Sequence, residues 1–184
     1  MNAEQLTELL LEEVKDIYHA EKQLVKALPR MAKACNSESL ADAIKAHLAE
    51  TQNQVARLEK VFTLLKTPAK EKPCKGMQGL IEEGSEAIEN DDRGTLRDLA
   101  IIGAAQRVEH YEISAYGTAR AIAEQIGNGD IVKLLQATEE EEKAADEKMS
   151  KIAGELYAAE EPEQEEQLTV SGNSRRARAA SKRK

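Results

Sequence analysis

Four long amphipathic stripes run through this chain, and each carries a glutamate near its middle: Glu21, Glu50, Glu109 and Glu142. A carboxylate on an apolar seam costs several kcal/mol to bury unless something compensates it. Four of them facing one interior would repel one another unless a multivalent cation lay between them. The pattern therefore points to a helical bundle with carboxylates gathered around metal.

The stripes follow the helical spacing of threes and fours. The first helix is expected over about Glu4 to Ala34, with Leu10, Val14, Ile17, Glu21, Leu24, Leu28 and Met31 on its stripe and Pro29 as a kink or weak point. The second is expected over about Glu38 to Lys66, after an Asn36–Ser37 turn, with Leu40, Ile44, His47, Glu50/Thr51, Gln54, Leu58, Val61 and Leu65. Thr67 to Gly76 holds two prolines and a glycine and reads as a loop. Met77 to Glu89 reads as a short helix, broken by Asn90 to Gly94. The third long helix is expected over about Thr95 to Ile126, with Leu99, Ile102, Gln106, Glu109, Ile113, Tyr116, Ala119 and Ala123. Gly127–Asp130 stops it, and the fourth helix runs on to about Tyr157.

This order is hairpin, long crossover, hairpin. It predicts an all-α, ferritin-like four-helix bundle over 1–158, with one long crossover containing a short helix. Residues 159–184 turn acidic and then basic, with six Lys or Arg in the last ten, and read as a disordered tail. Such an end, Arg175–Lys184, suits nucleic acid or another anionic surface. The remainder does not, because the whole chain carries a net charge of -8.

Ala, Glu, Leu and Lys dominate, aromatics are 3%, and there is no Trp, all of which favours helix. No run approaches the ~20 apolar residues of a membrane span. The first residues are acidic and amphipathic, unlike a secretory signal. A cytoplasmic protein without a membrane partner is expected, with Cys35 and Cys74 reduced and without chemistry.

Height along the bundle tests the metal reading. Glu21 and Glu50 are equidistant from the Cys35–Asn36 turn, and Glu112 and Glu142 are equidistant from Gly127. Glu109 lies one turn from Glu112, and Asp146 one turn from Glu142, so each pair shares a face. Glu21, Glu50, Glu109 and Glu142 are the first candidates for metal ligands. Gln54, Glu112, Asp146 and His47 form a second group. The Glu-x-x-His pairs of the usual di-metal bundle are missing. The oxygen-rich set suits Fe, Mn, Mg or Ca. Glu139 is assigned with Glu140 to a solvated acidic face. His19 and His110 are expected behind the ligands or at the surface. Tyr18, Tyr111 and Tyr116 cluster near the same level, where they could bond the carboxylates or donate single electrons. The competing reading is a polar network in which Lys22, Lys143 or Arg107 neutralises the glutamates.

Six segments together resemble the YciF-like family of the ferritin-like superfamily. They are DIYHAEKQL (Asp16–Leu24), HLAETQNQVARLE (His47–Glu59), MQGLIEEG (Met77–Gly84), AAQRVEHYEISAYGT (Ala104–Thr118), AEQIG (Ala123–Gly127) and EEEKAADEKM (Glu140–Met149). They occur in order and cover nearly all of residues 5–157, leaving the basic tail outside. The resemblance implies a ferritin-like fold, a homodimer, a di-metal centre and a part in bacterial stress responses, with no established reaction.

Together these observations lead to a di-metal carboxylate protein holding two divalent ions, iron first and manganese second. It would oxidise its metal with O2 or peroxide. Two alternatives remain: a non-catalytic dimeric stress or scaffold bundle with structural metal, and a nucleic-acid-protecting protein acting through its basic tail.

Overall fold

The computed structural model describes residues 2–89 and 94–181, with side chains described as far as residue 160. Its helices are α1 (Ala3–Ala34), α2 (Glu38–Leu64), α3 (Lys75–Glu89), α4 (Thr95–Ile126) and α5 (Gly129–Ser181). There is no strand among the described residues, and no helix is long and apolar enough to cross a membrane. The expected four-helix bundle with a helical crossover is the architecture found. The break expected at 90–93 lies outside the described residues. So does the side-chain character of the tail from residue 161 onward; α5 itself continues past the end expected near Tyr157.

Each end has a local cause. Asn2 caps α1 by accepting from the Gln5 amide, and the Gln5 side chain returns the bond to the Asn2 N–H. Pro29 sits on the exposed side, and α1 runs through it as one helix. Ser37 caps α2 by accepting from Leu40 N. Gly127 closes α4 in the left-handed conformation, φ 78°, where its N–H and that of Asn128 bond back into the last turn.

α1 pairs with α2 and α4, and α5 pairs with α4 and α2, closing a ring of four. α3 lies outside the ring, across α1 and α4. The crossover is pinned halfway along α1. His19 Nδ1 accepts from Cys74 N at 3.0 Å, Gln23 Nε2 donates to Cys74 O at 3.2 Å, and Lys22 binds Glu71. The Cys74 thiol accepts from Met77 N at the start of α3.

Two apolar clusters fill the ring. One lies toward the α1–α2 turn, with Leu24, Leu28, Leu40, Ile44, Met77, Ile101 and Met149. The other lies toward the α4–α5 turn, with Leu10, Val14, Leu58, Phe62, Tyr116, Ile131 and Leu135. Between them lie the buried polar residues Glu21, His47, Thr51, Gln54, Glu109, Glu112, Thr138 and Glu142.

One buried acid is structural. Asp98 accepts from the N–H groups of Asn36 and Ser37 at 2.8 and 2.7 Å, so the start of α4 holds the α1–α2 turn. It is 1% exposed. Asp98→Ala would strand both donors, and chemical denaturation should show a loss of about 1–3 kcal/mol.

Candidate metal centre

The ring geometry brings one stripe from each helix to the middle layer. On α2 the inward positions are His47, Thr51, Gln54 and Leu58. On α4 they include Val108, Glu109, Glu112 and Tyr116. α1 contributes Glu21, and α5 contributes Thr138 and Glu142.

His47, Glu109, Glu112 and Glu142 each offer a ligand atom, and these atoms all lie within 4.8 Å of one another. His47 Nε2 is 3.5 Å from Glu109 Oε1 and 3.7 Å from Glu142 Oε2. Glu21 lies alongside, 0% exposed, with Oε1 accepting from the Tyr116 hydroxyl. Gln54 Nε2 donates to Glu142 and, at 3.0 Å, to Glu141. Arg57 holds Glu141 by two bonds of 2.8 Å.

Not all the expected ligands are drawn in. Glu50 is exposed, with its side chain at 49%, and reaches only back to His47 Nδ1 at 3.4 Å. The reason is rotation: Thr51 takes the inward position, and one residue is about 100° of helix. Glu50 thus orients His47 rather than joining the cluster. With its proton on Nδ1, toward Glu50, the ring would turn an Nε2 lone pair to the carboxylates. Asp146 is half-buried and satisfied elsewhere, accepting from Gln106 Nε2 at 2.8 Å with His110 at 3.6 Å. Gln54 is inside but spends its NH2 on the glutamates. Glu21, Glu109, Glu112, Glu142 and His47 are all buried in the layer.

Other expectations also shift. Glu139 is not on a solvated face: it is 7% exposed and paired with Arg120 and Lys143. His19 serves the crossover, and His110 is exposed. Of the three tyrosines, only Tyr116 touches a layer carboxylate. Tyr18 bonds Glu59, and Tyr111 bonds Asp16 and the Cys74 thiol. Burial and then Asp98 push the Cys35 thiol up to about 12, and burial raises Cys74, so neither is a ready thiolate.

The cations offered as an alternative are committed elsewhere or remote: Lys22 to Glu71, Lys143 to Glu139, with Arg107 exposed. Burial, and then the charge of Glu142, raises Glu21 well above the usual carboxylate range, against the Tyr116 bond and Arg57. Burial, then Glu142, raises Glu109; burial, then Glu21, raises Glu112. Seven buried atoms of the layer have no hydrogen-bond partner: Glu21 Oε2, His47 Nε2, Gln54 Oε1, Glu109 Oε2, both Glu112 oxygens and Glu142 Oε2. Four of these residues, His47, Glu109, Glu112 and Glu142, bring ligand atoms within 4.8 Å of one another, and that set fits a cation. The group could hold a metal ion, and oxygen donors with one imidazole suit Fe or Mn better than a soft metal.

The comparisons agree with the fold. A family model described as "Domain of unknown function (DUF892)" matches residues 5–161. Protein YciF of Escherichia coli K12 is 44% identical over 154 residues, 83% of this chain and 93% of that protein. The crystal structure of the E. coli stress protein YciF superposes with a TM-score of 0.81 at 42% identity, covering 83% of this chain and 97% of that one. YcfI of Rhodopseudomonas palustris gives 0.76 at 44% identity, covering 79% and 92%. A Xanthomonas campestris protein at 19% identity shares the fold, with a TM-score of 0.68 over 87% and 99%. The chain belongs to the DUF892, YciF-like family.

The layer sets the sign of a pH dependence in metal-free protein. Glu21, Glu109 and Glu112 have folded values raised above those of the unfolded chain. Their protonated forms support the fold fully below about pH 4.3, and that support is lost as pH rises through the raised values. Thermal melts of metal-free protein should therefore fall from about pH 5 upward. Glu112→Gln should flatten the slope, and Mn(II) added at neutral pH should restore the melting temperature by replacing the protons.

Proposed function

We propose that this DUF892-family chain is a carboxylate-bridged di-metal protein that oxidises bound ferrous iron with O2 or peroxide during stress. The observation that carries the reading is the convergence of seven unpartnered lone-pair atoms on one layer. Four ionised carboxylates, Glu21, Glu109, Glu112 and Glu142, would balance two divalent cations, which favours a pair over a single ion. The E. coli relative is a stress protein, and that supports the physiological setting.

The pair would supply the electrons for reducing the oxidant, one from each ferrous ion. This chain's residues do the rest. Glu109, Glu112, Glu142 and His47 would hold the ions, and Glu21 would offer Oε2 while the Tyr116 hydroxyl holds Oε1. Glu50 keeps the His47 ring in register, and Gln54 and Arg57 fix the α5 carboxylates from the α2 side. Tyr116 is fully buried with a single bond to Glu21, and its ionisation is strongly opposed by burial, Glu21 and Glu112. It is therefore a neutral hydroxyl that can hold or pass one proton at Glu21. The two apolar clusters above and below exclude bulk water.

Protein loaded anaerobically should contain about two Fe or Mn per chain by elemental analysis. Glu112→Ala should lose the metal. Glu50→Ala should keep the site but bind about 10–100-fold more weakly, the usual effect of removing a carboxylate behind a histidine ligand. Retention of full metal content in Glu112→Ala would overturn the assignment.

Tyr116→Phe should keep the metal and slow its oxidation in single-turnover stopped flow. If loaded wild type resisted both O2 and peroxide, the metal would be structural and the scaffold reading would stand.

A further inference from the structure

The space between α1, α3 and α4 is not close-packed. It holds a half-open cavity of about 340 Å³ whose lining includes Leu24, Leu28, Met31, Ile81, Val108 and the buried Glu109. Small-molecule sites begin near 300 Å³. α3 is the reason for the space. Of its 15 residues only Met77 and Gly84 are buried, while Leu80, Ile81 and Ile88 stay half-buried facing the cavity. Gly84 lets α3 sit close to α1; a Cβ there would come within 3.2 Å of Met31 Cε.

Charge is distributed along the cavity in one direction. Among the described residues Glu109 is its sole acidic lining residue, 2% exposed, with Oε2 unpartnered. The cations Lys26 and Arg30 stand at the opposite, exposed edge, one turn of α1 apart. Arg30 reaches across that edge to Glu89 at the end of α3, at 2.6 Å. An anionic group placed inward would meet Glu109 and lose its hydration. Placed outward, it meets Lys26 and Arg30.

We propose that this cavity binds a small amphiphilic monoanion, an alkyl chain ending in a carboxylate. Its charged end lies at Lys26 and Arg30, and its hydrocarbon end lies against Glu109. The proposal deepens the metal-centre reading by naming the class of molecule that reaches the centre. It rests on that reading for the consequence of the contact but not for the binding itself.

Decanoate is the probe, titrated by calorimetry into full-length protein, metal-free and cobalt-loaded, beside decanol. Saturable binding at one decanoate per chain is expected. Lys26→Glu should weaken decanoate by about tenfold and leave decanol unchanged, because like charges would then meet at the mouth. Ala27→Trp, which fills the cavity from α1, should abolish binding of both; Ser85→Trp fills it from α3 should the first variant not fold. In cobalt-loaded protein decanoate should shift the visible d–d bands through Glu109.

Absence of saturable binding, or affinity unchanged in both filled variants, overturns the proposal. So does wild type that binds no decanoate but changes its sedimenting mass when the cavity is filled, since a second copy of the chain would then be the occupant. Binding without a shift of the cobalt bands overturns the inward orientation. Failure of cobalt to bind while decanoate still does would sink the metal reading and leave the cavity assignment standing.

Discussion

Four carboxylates and an imidazole share one buried layer, and the rest of the structure is arranged around that fact. An apolar cluster closes the layer at each end, so water can approach it only from the side. Lysines within reach do not neutralise it, because Lys22 and Lys143 are bonded elsewhere. Protons or a cation are the remaining compensations. Raised carboxyl values and unpartnered oxygens express the same frustration in two ways. Local rules are broken where a natural sequence gains something else in return.

The layer places demands on elements far from it. Four glutamates on three helices meet only if the helices keep register over many turns. Asp98 fixes one end by tying α4 to the α1–α2 turn, and Gly127 fixes the other by turning α4 into α5. The crossover cannot drift either. His19, Gln23 and Lys22, successive on one side of α1, fasten it beside the layer. In the sequence this segment shows two prolines, a glycine, a cysteine and charged residues with no apolar period, so its path was not legible. Its anchors join residues about fifty positions apart, which no local pattern reveals.

Height and rotation were unequally legible. Counting from the turns placed Glu21, Glu109, Glu112 and Glu142 at one level, and all four are buried there. Counting says nothing of which way a side chain faces. Glu50 has the right height and faces out, while Thr51 beside it is fully buried. On α4 the same ambiguity ran the other way: Glu112 is buried and Ile113, placed on the stripe, is only half-buried. The signal for His47 was present, since His47, Thr51, Gln54 and Leu58 keep the four-three-four spacing of a single inward stripe. That stripe placed His47 among the second group of candidate ligands, behind Glu50, and the rotation of α2 reverses their order. The Tyr116–Glu21 bond spans 95 residues and had no signature beyond the shared level.

The layer is also asymmetric from side to side. Toward α2 and α5 it opens into a cavity of about 150 Å³ bordered by His47, Glu50, Glu141 and Lys148. Toward α3 the lining is mostly aliphatic. Ions and protons are stabilised by the first kind of surface and excluded by the second, because a charge gains nothing from aliphatic walls. On the proposed reading, hydrated ions would approach His47 from the α2–α5 side and an amphiphile from the α3 side. The long crossover makes the two walls unequal, because it lays a helix with only Met77 and Gly84 buried over one wall, and it is the same crossover that the pinned loop beside His19 holds in place.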